Sequence, residues 1–167
     1  VIARTWLMTG KKVYQAITRG LFSFTDREGG GRRLVNDAPV LVARIRENPA
    51  VRDAAIVAFA DRRNGVGLYA FIEADLPELE ARLRSTLAAA GEPKPPEHIQ
   101  VVARLPRGAA GKVRTEILQL IAMNQIDLIE PLITSPEDRE FLRGILESRK
   151  NLRDRFNFES TDQALPT

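Results

Sequence analysis

Residues 51–74 read VRDAAIVAFADRRNGVGLYAFIEA, two apolar runs joined by a short polar stretch. The first run places five small or branched apolar residues in succession at positions 54–58. An apolar run of this length, bounded by turn-forming residues, is typical of a strand that is buried on both faces. Residues 61–65 predict a turn, and residues 66–74 predict a second strand. Two neighbouring strands in the core of a domain are therefore expected here.

The segments on either side alternate between helix and strand patterns. Upstream, Asn36 or Asp37 is placed to cap a helix that has Pro39 in its first turn. The elements predicted downstream are a helix marked by Leu76, Leu79, Leu83 and Leu87 that ends near Gly91, a strand over residues 99–103, a loop over residues 105–112, and a helix lined by Val113, Ile117, Leu120 and Ile121. This order predicts an α+β fold, a small two-layer domain with a three-stranded sheet packed by helices.

Both ends of the chain predict elements outside that domain. Residues 1–30 indicate an N-terminal helical segment and a glycine-rich joint, in which Gly29, Gly30 and Gly31 are consecutive. Residues 124–156 indicate a helical extension, with Ser135 as the cap and Pro136 at the first position of its helix. Residues 157–167 predict a loose tail. The central domain is assigned to residues 31–123.

Composition excludes several classes of site. The 167 residues are 44% hydrophobic and 28% charged, which is ordinary for a globular domain. The chain has no cysteine, so disulfides, thiolate metal sites and a cysteine nucleophile are excluded, and a single histidine, His98, argues against a histidine metal cluster. No apolar run has the length of a membrane span and no signal peptide is recognisable, so a cytoplasmic location is predicted. Because the first residue is Val1, the chain is also compatible with a piece of a longer protein.

Positive charge is concentrated in the first part of the chain. The net charge is +3, and residues 1–35 hold seven basic residues against two acidic ones. A surface for nucleic acid or for an anionic membrane is one interpretation of this segment. A solvated face, or a strip that contacts another domain, is the interpretation that we favour. No nucleic-acid partner is therefore predicted.

The stretch with the clearest chemical content is residues 105–118, LPRGAAGKVRTEIL. It is basic, and its glycines Gly108 and Gly111 allow the backbone to turn and to approach a ligand closely. Lys112 lies just before a predicted helix N-terminus, a position that suits a phosphate or a carboxylate. The spacing excludes a P-loop, because Pro106 stands where its first glycine would be and Val113 where its serine or threonine would be.

The same stretch resembles the last motif of the adenylate-forming superfamily, which comprises acyl-CoA synthetases, the adenylation domains of peptide synthetases, and luciferases. Three further segments are similar to the stretches that precede this motif in the family: NPAVRDAAIV at residues 48–57, GLYAFI at residues 67–72 and KPP at residues 94–96. They occur in the family's order and at its spacing. The resemblance covers residues 31–123.

The resemblance implies the C-terminal lid domain of an ATP-dependent acyl-CoA synthetase-like ligase. Such an enzyme converts a carboxylate and ATP to an acyl-adenylate and pyrophosphate, and then forms a thioester. Lys112 is the implied catalytic residue, and Arg107, Gly108 and Gly111 are the implied phosphate loop. ATP with Mg and coenzyme A are implied as well, bound mainly by an N-terminal adenylation domain that acts in cis or in trans. The isolated chain is accordingly expected to be inactive.

Two features depart from the family pattern and keep an alternative open. The lid of these enzymes swings on a hinge, for which Gly29, Gly30 and Gly31 are the candidates. After the hinge the family carries an acidic pair, whereas residues 36–42 here read NDAPVLV. The altered hinge and the long flanks favour a non-catalytic, stand-alone module that binds a protein or nucleotide partner. The intact lysine loop favours the ligase.

Overall fold

The computed structural model describes residues 36–61 and 65–152; the hinge candidates Gly29, Gly30 and Gly31 and the predicted tail lie outside these ranges. The described elements, in chain order, are helix α1 (Ala38–Arg46), strand β1 (Asp53–Asp61), strand β2 (Gly65–Glu73), helix α2 (Leu79–Ala89), strand β3 (His98–Val102), helix α3 (Thr115–Ala122), two short 3₁₀ helices (Ile126–Leu128 and Glu130–Leu132) and helix α4 (Pro136–Glu147).

The three strands form one mixed sheet in the order β1-β2-β3. Strands β1 and β2 are antiparallel, with Asp53 opposite Glu73, whereas β2 and β3 are parallel, with Tyr69 opposite His98. The parallel pair requires a crossover connection, which helix α2 provides. The predicted α+β class and the three-stranded sheet are therefore confirmed.

Local sequence signals explain where helix α4 begins and where helix α2 ends. The Ser135 hydroxyl accepts a hydrogen bond from the Asp138 backbone N–H at 3.1 Å, so the predicted cap of α4 is confirmed. Helix α2 ends just before Gly91, whose φ of 81° lies in the left-handed region that glycine adopts without strain. Helix α1 has Pro39 in its first turn as predicted, although the Asp37 side chain makes no capping hydrogen bond.

The central strand is buried on both faces. Residues 68–72 are all fully buried, and successive side chains of a strand point to opposite faces. Helices α1 and α3 pack against β1, and α2 packs against β3 and α1. Helix α3 is itself enclosed, because residues 117–122 are all buried.

The C-terminal extension is bonded to the sheet through a buried polar network. The Tyr69 hydroxyl donates to Gln100 Oε1 at 2.5 Å, and Gln100 Nε2 donates to the Ile145 carbonyl and to Ser148 Oγ, each at 3.0 Å. The Lys150 backbone N–H donates to the Tyr69 hydroxyl at 2.9 Å. Burial raises the pKa of the Tyr69 hydroxyl, which keeps it protonated and able to donate. The end of α4 is thereby attached to both β2 and β3.

None of the described helices is both long and apolar enough to cross a membrane.

Candidate functional site

The lysine loop, residues 105–114, forms a short hairpin immediately before α3. Arg107 and Val113 make an antiparallel bridge, and the Gly108 N–H donates to the Lys112 carbonyl at 2.9 Å. The turn is closed by the Gly111 N–H, which donates to the Gly108 carbonyl at 3.0 Å. Gly111 has a φ of 76°, a conformation that explains why glycine precedes Lys112. The lysine is thus carried by an ordered hairpin.

The Lys112 side chain is exposed and has no counter-charge in the part of the chain that the structure describes. The other basic residues of the lysine loop and its flanks are engaged. Arg107 and Arg114 form ion pairs, and the Arg104 guanidinium lies 4.3 Å from the centre of the Phe141 ring. The Lys112 ammonium is therefore the group of this region that is left available to an external anion.

Arg107 connects the lysine loop to the sheet. Its Nη2 lies 2.9 Å from Asp53 Oδ2 and 3.3 Å from Glu73 Oε2, while its Nη1 donates to the Gly111 carbonyl at 3.1 Å. The two carboxylates are brought together because Asp53 and Glu73 are cross-strand partners. The implied contact of Arg107 with a phosphate stays a prediction, since in this conformation the guanidinium faces the sheet.

Further contacts fix these carboxylates. Asp53 Oδ1 accepts from Arg46 Nη2 at 2.7 Å, and Glu73 Oε2 accepts from the Leu105 backbone N–H at 2.7 Å. Partial burial of Asp53 disfavours its charged form, but the hydrogen bonds from Arg107 and Arg46 outweigh burial and lower the pKa of Asp53. The hydrogen bond to Asp53 also raises the pKa of Arg107.

Asp53 and Glu73 are part of the site although no motif of the sequence marks them as such. Each is an acidic residue at the end of an otherwise apolar strand, and these two strand ends lie opposite each other in an antiparallel hairpin. That placement is a usable signal, because two like charges directly opposite each other repel unless a cation lies between them. The cation here comes from the lysine loop.

The low pKa of Asp53 predicts a pH dependence of stability. A carboxylate with a folded pKa below its unfolded value of about 3.9 stabilises the fold above that pH, and the contribution disappears as the pH falls through the folded pKa. The wild-type protein should therefore have a larger free energy of unfolding than Asp53→Asn, and this difference should be greatest above about pH 5. Urea denaturation from pH 3 to pH 7 measures the difference; a difference that is constant over this range contradicts the prediction.

A cleft of about 220 Å³ separates the base of the lysine loop from the C-terminal extension. Its walls include Leu105 and Ile117 on one side and Phe141 on the other. Arg114 crosses this boundary, because its Nη1 donates to the Leu132 carbonyl at 3.1 Å. The extension thus supports the residue that immediately precedes α3. Over residues 36–61 and 65–152, no group of histidine, aspartate or glutamate side chains is arranged to hold a metal ion.

Part of the sequence matches a known protein family. Residues 43–112 match the family described as the AMP-binding enzyme C-terminal domain, and the match ends at the lysine itself. Acetyl-coenzyme A synthetase 2 of Pseudomonas aeruginosa is 31% identical over an alignment of 108 residues, and the alignment covers 61% of this chain and 17% of the relative. The chain therefore aligns with about a sixth of the length of this relative.

The chain is also similar to solved structures over about half of its length. Apo MatB from Rhodopseudomonas palustris is 25% identical with a TM-score of 0.45, over 49% of this chain and 17% of its own. An acyl-CoA synthetase of Brucella canis is 22% identical with a TM-score of 0.44, over 57% of this chain and 18% of its own. Because both TM-scores are below 0.5, the assignment of a family depends on the sequence matches.

Proposed function

Because residues 43–112 match the family of AMP-binding enzyme C-terminal domains, we propose that this chain supplies the lid and the adenylation lysine of an acyl-CoA synthetase-like ligase. The observation that carries the proposal is the Lys112 ammonium, exposed and without a counter-charge among the described residues, on a hairpin that is tied to the sheet. A cation held in this way suits a substrate whose negative charge increases during the reaction.

The proposed reaction has two steps. In the first, a carboxylate oxygen forms a bond to the α-phosphorus of ATP, and the bond to the leaving pyrophosphate breaks. Lys112 bridges the carboxylate and the phosphate and stabilises the transition state as a fixed charge, with no proton transfer required. In the second step, the thiol of coenzyme A attacks the carbonyl carbon of the acyl-adenylate, the thiol proton is lost, and AMP leaves.

Most of the active site is proposed to lie on an N-terminal adenylation domain, present in cis or in trans. As the resemblance implies, ATP and its Mg are proposed to bind mainly to that domain. The contribution of this chain is one positive charge and the surface around it. Selection of the carboxylic acid is accordingly assigned to the partner domain, and the isolated chain is proposed to have no turnover.

The test is ATP–pyrophosphate exchange by the native protein that carries this chain, assayed with a panel of carboxylic acids. Exchange that depends on one class of acid supports the ligase. Absence of exchange with every acid, in a protein that is folded by circular dichroism, contradicts it and favours the non-catalytic module. That module is the weaker hypothesis, because the match to the AMP-binding enzyme C-terminal domain extends to Lys112 and the lysine loop resembles that of the ligases.

A further inference from the structure

We propose that Arg107 is a positioning residue that clamps the Lys112 hairpin to the paired carboxylates of Asp53 and Glu73. The inference deepens the proposed function and rests on it for its catalytic consequence. The structural half of the inference, that one guanidinium fixes the hairpin, can be tested without any assay of activity.

The geometry of the Arg107 guanidinium carries the proposal. One nitrogen, Nη2, contacts Asp53 and Glu73 at 2.9 and 3.3 Å, and the other, Nη1, donates to the Gly111 carbonyl at 3.1 Å. The planar fork therefore joins the sheet to the residue that immediately precedes Lys112. A single-point cation such as lysine cannot span both sides, because its donors radiate from one atom.

The surroundings of the cluster make the clamp stiff. Side-chain exposure is 12% for Glu73 and 21% for Asp53, against 37% for Arg107, so the carboxylate end is shielded from water. Charge-assisted hydrogen bonds are shorter and stronger than neutral ones, and partial burial reduces their screening. Glu73 also accepts from the Leu105 N–H, which fixes the first residue of the lysine loop to the same carboxylate.

The backbone hydrogen bonds of the hairpin do not prevent it from tilting relative to the sheet, and the contacts of Arg107 restrain this movement. Hydrogen bonds within the loop hold Gly108, Gly111 and Lys112 to one another. They fix the shape of the hairpin but not its tilt relative to the sheet. The base of the lysine loop is held by the Leu105 N–H, which donates to Glu73, and by Val113, which packs against the core. Among the described hydrogen bonds and ion pairs, those that join the turn at residues 107–112 to the sheet are made by Arg107. Loss of the clamp should therefore move Lys112 without unfolding the domain.

The experiment compares hydrogen exchange of the lysine loop in the full 167-residue chain and in three variants. In Arg107→Lys, which keeps a positive charge for the carboxylates, we expect amide exchange at Gly108 and Gly111 to increase about tenfold while β2 and α3 keep their protection. Arg107→Gln should show the same increase. Arg46→Gln is the matched control, because it removes another arginine from Asp53 that has no contact with the loop.

The outcomes are distinct. Unchanged loop exchange in Arg107→Lys overturns the clamp, as does an equal increase in Arg46→Gln. If Arg107→Gln fails to fold, the lysine variant still decides. Pyrophosphate exchange by the native protein then separates the two proposals: a lower kcat with an unchanged KM for ATP in Arg107→Lys supports positioning. If the Arg107 variants loosen the loop but Lys112→Ala keeps full activity, the proposal that Arg107 clamps the loop is supported and the proposed function is contradicted.

Discussion

Replacing Lys112 with alanine should reduce ATP–pyrophosphate exchange by the native protein by about 100- to 1,000-fold, with little change in stability. The size of the effect is that of removing one fixed positive donor from a developing negative charge. The side chain is exposed and makes no ion pair with the described residues, so its truncation removes no packing. The loss should appear mainly in kcat, since the contact is proposed to strengthen in the transition state.

Two further variants separate charge from shape at this position. Lys112→Arg keeps the positive charge but places it on a guanidinium of different geometry, so it should retain part of the exchange rate. Lys112→Gln has a neutral side chain and should be as slow as Lys112→Ala. Lys94→Ala is the matched control, because Lys94 is another exposed lysine that pairs with Glu97 at 3.5 Å, outside the lysine loop. Equal exchange in Lys112→Ala and wild type would remove the lysine from the mechanism.

The fold could be predicted because its strands and helices carry separate periodicities. Apolar runs marked β1 and β2, and leucines at helical spacing marked α2. The strand ends are less accurate: the first apolar run predicts a strand over residues 51–59, whereas β1 spans Asp53–Asp61, so each end lies two residues later in the chain. The reason is that the ladder pairs Asp61 with Gly65 through backbone atoms, which form the same hydrogen bonds whether the side chain is polar or apolar.

The position of the lysine loop could also be predicted, but its support could not. Gly108, Gly111 and Lys112 are close in sequence, so their spacing alone indicates a loop that presents a cation. Arg107, by contrast, contacts acids that lie 54 and 34 residues away along the chain. A single sequence offers many acids as partners for one arginine, and only the strand register selects Asp53 and Glu73.

The contact between the C-terminal extension and the sheet could likewise not be predicted from the sequence. Its helix was predicted from a local cap, but the partner of that helix was not, because the contact depends on a buried amide in β3. Gln100 is surrounded in sequence by apolar residues, and a strand pattern alone assigns no bonding partner to it. The structure gives it three, one from β2 and two from the extension.

Replacing Gln100 with leucine should lower the free energy of unfolding by about 2–4 kcal/mol. The substitution replaces the amide with an apolar side chain of similar size, so the cost comes from the polar groups that it leaves without partners. The Tyr69 hydroxyl loses its acceptor, and the Ile145 carbonyl loses its side-chain donor. Buried groups without partners carry most of their desolvation cost. Urea denaturation of the full chain, followed by circular dichroism, measures the difference.

Ser148→Ala is the matched control, because Ser148 is exposed and its hydroxyl is also bonded to the Gly144 carbonyl at 2.7 Å; a loss below about 1 kcal/mol is expected. Tyr69→Phe removes the other side of the pair, so its cost and that of Gln100→Leu should sum to more than the cost of the double variant. Strict additivity would mean that the two groups act independently. A cost for Gln100→Leu no larger than that for Ser148→Ala would mean that the amide does not hold the extension, and that apolar contacts of Leu142 and Ile145 hold α4 on the sheet instead.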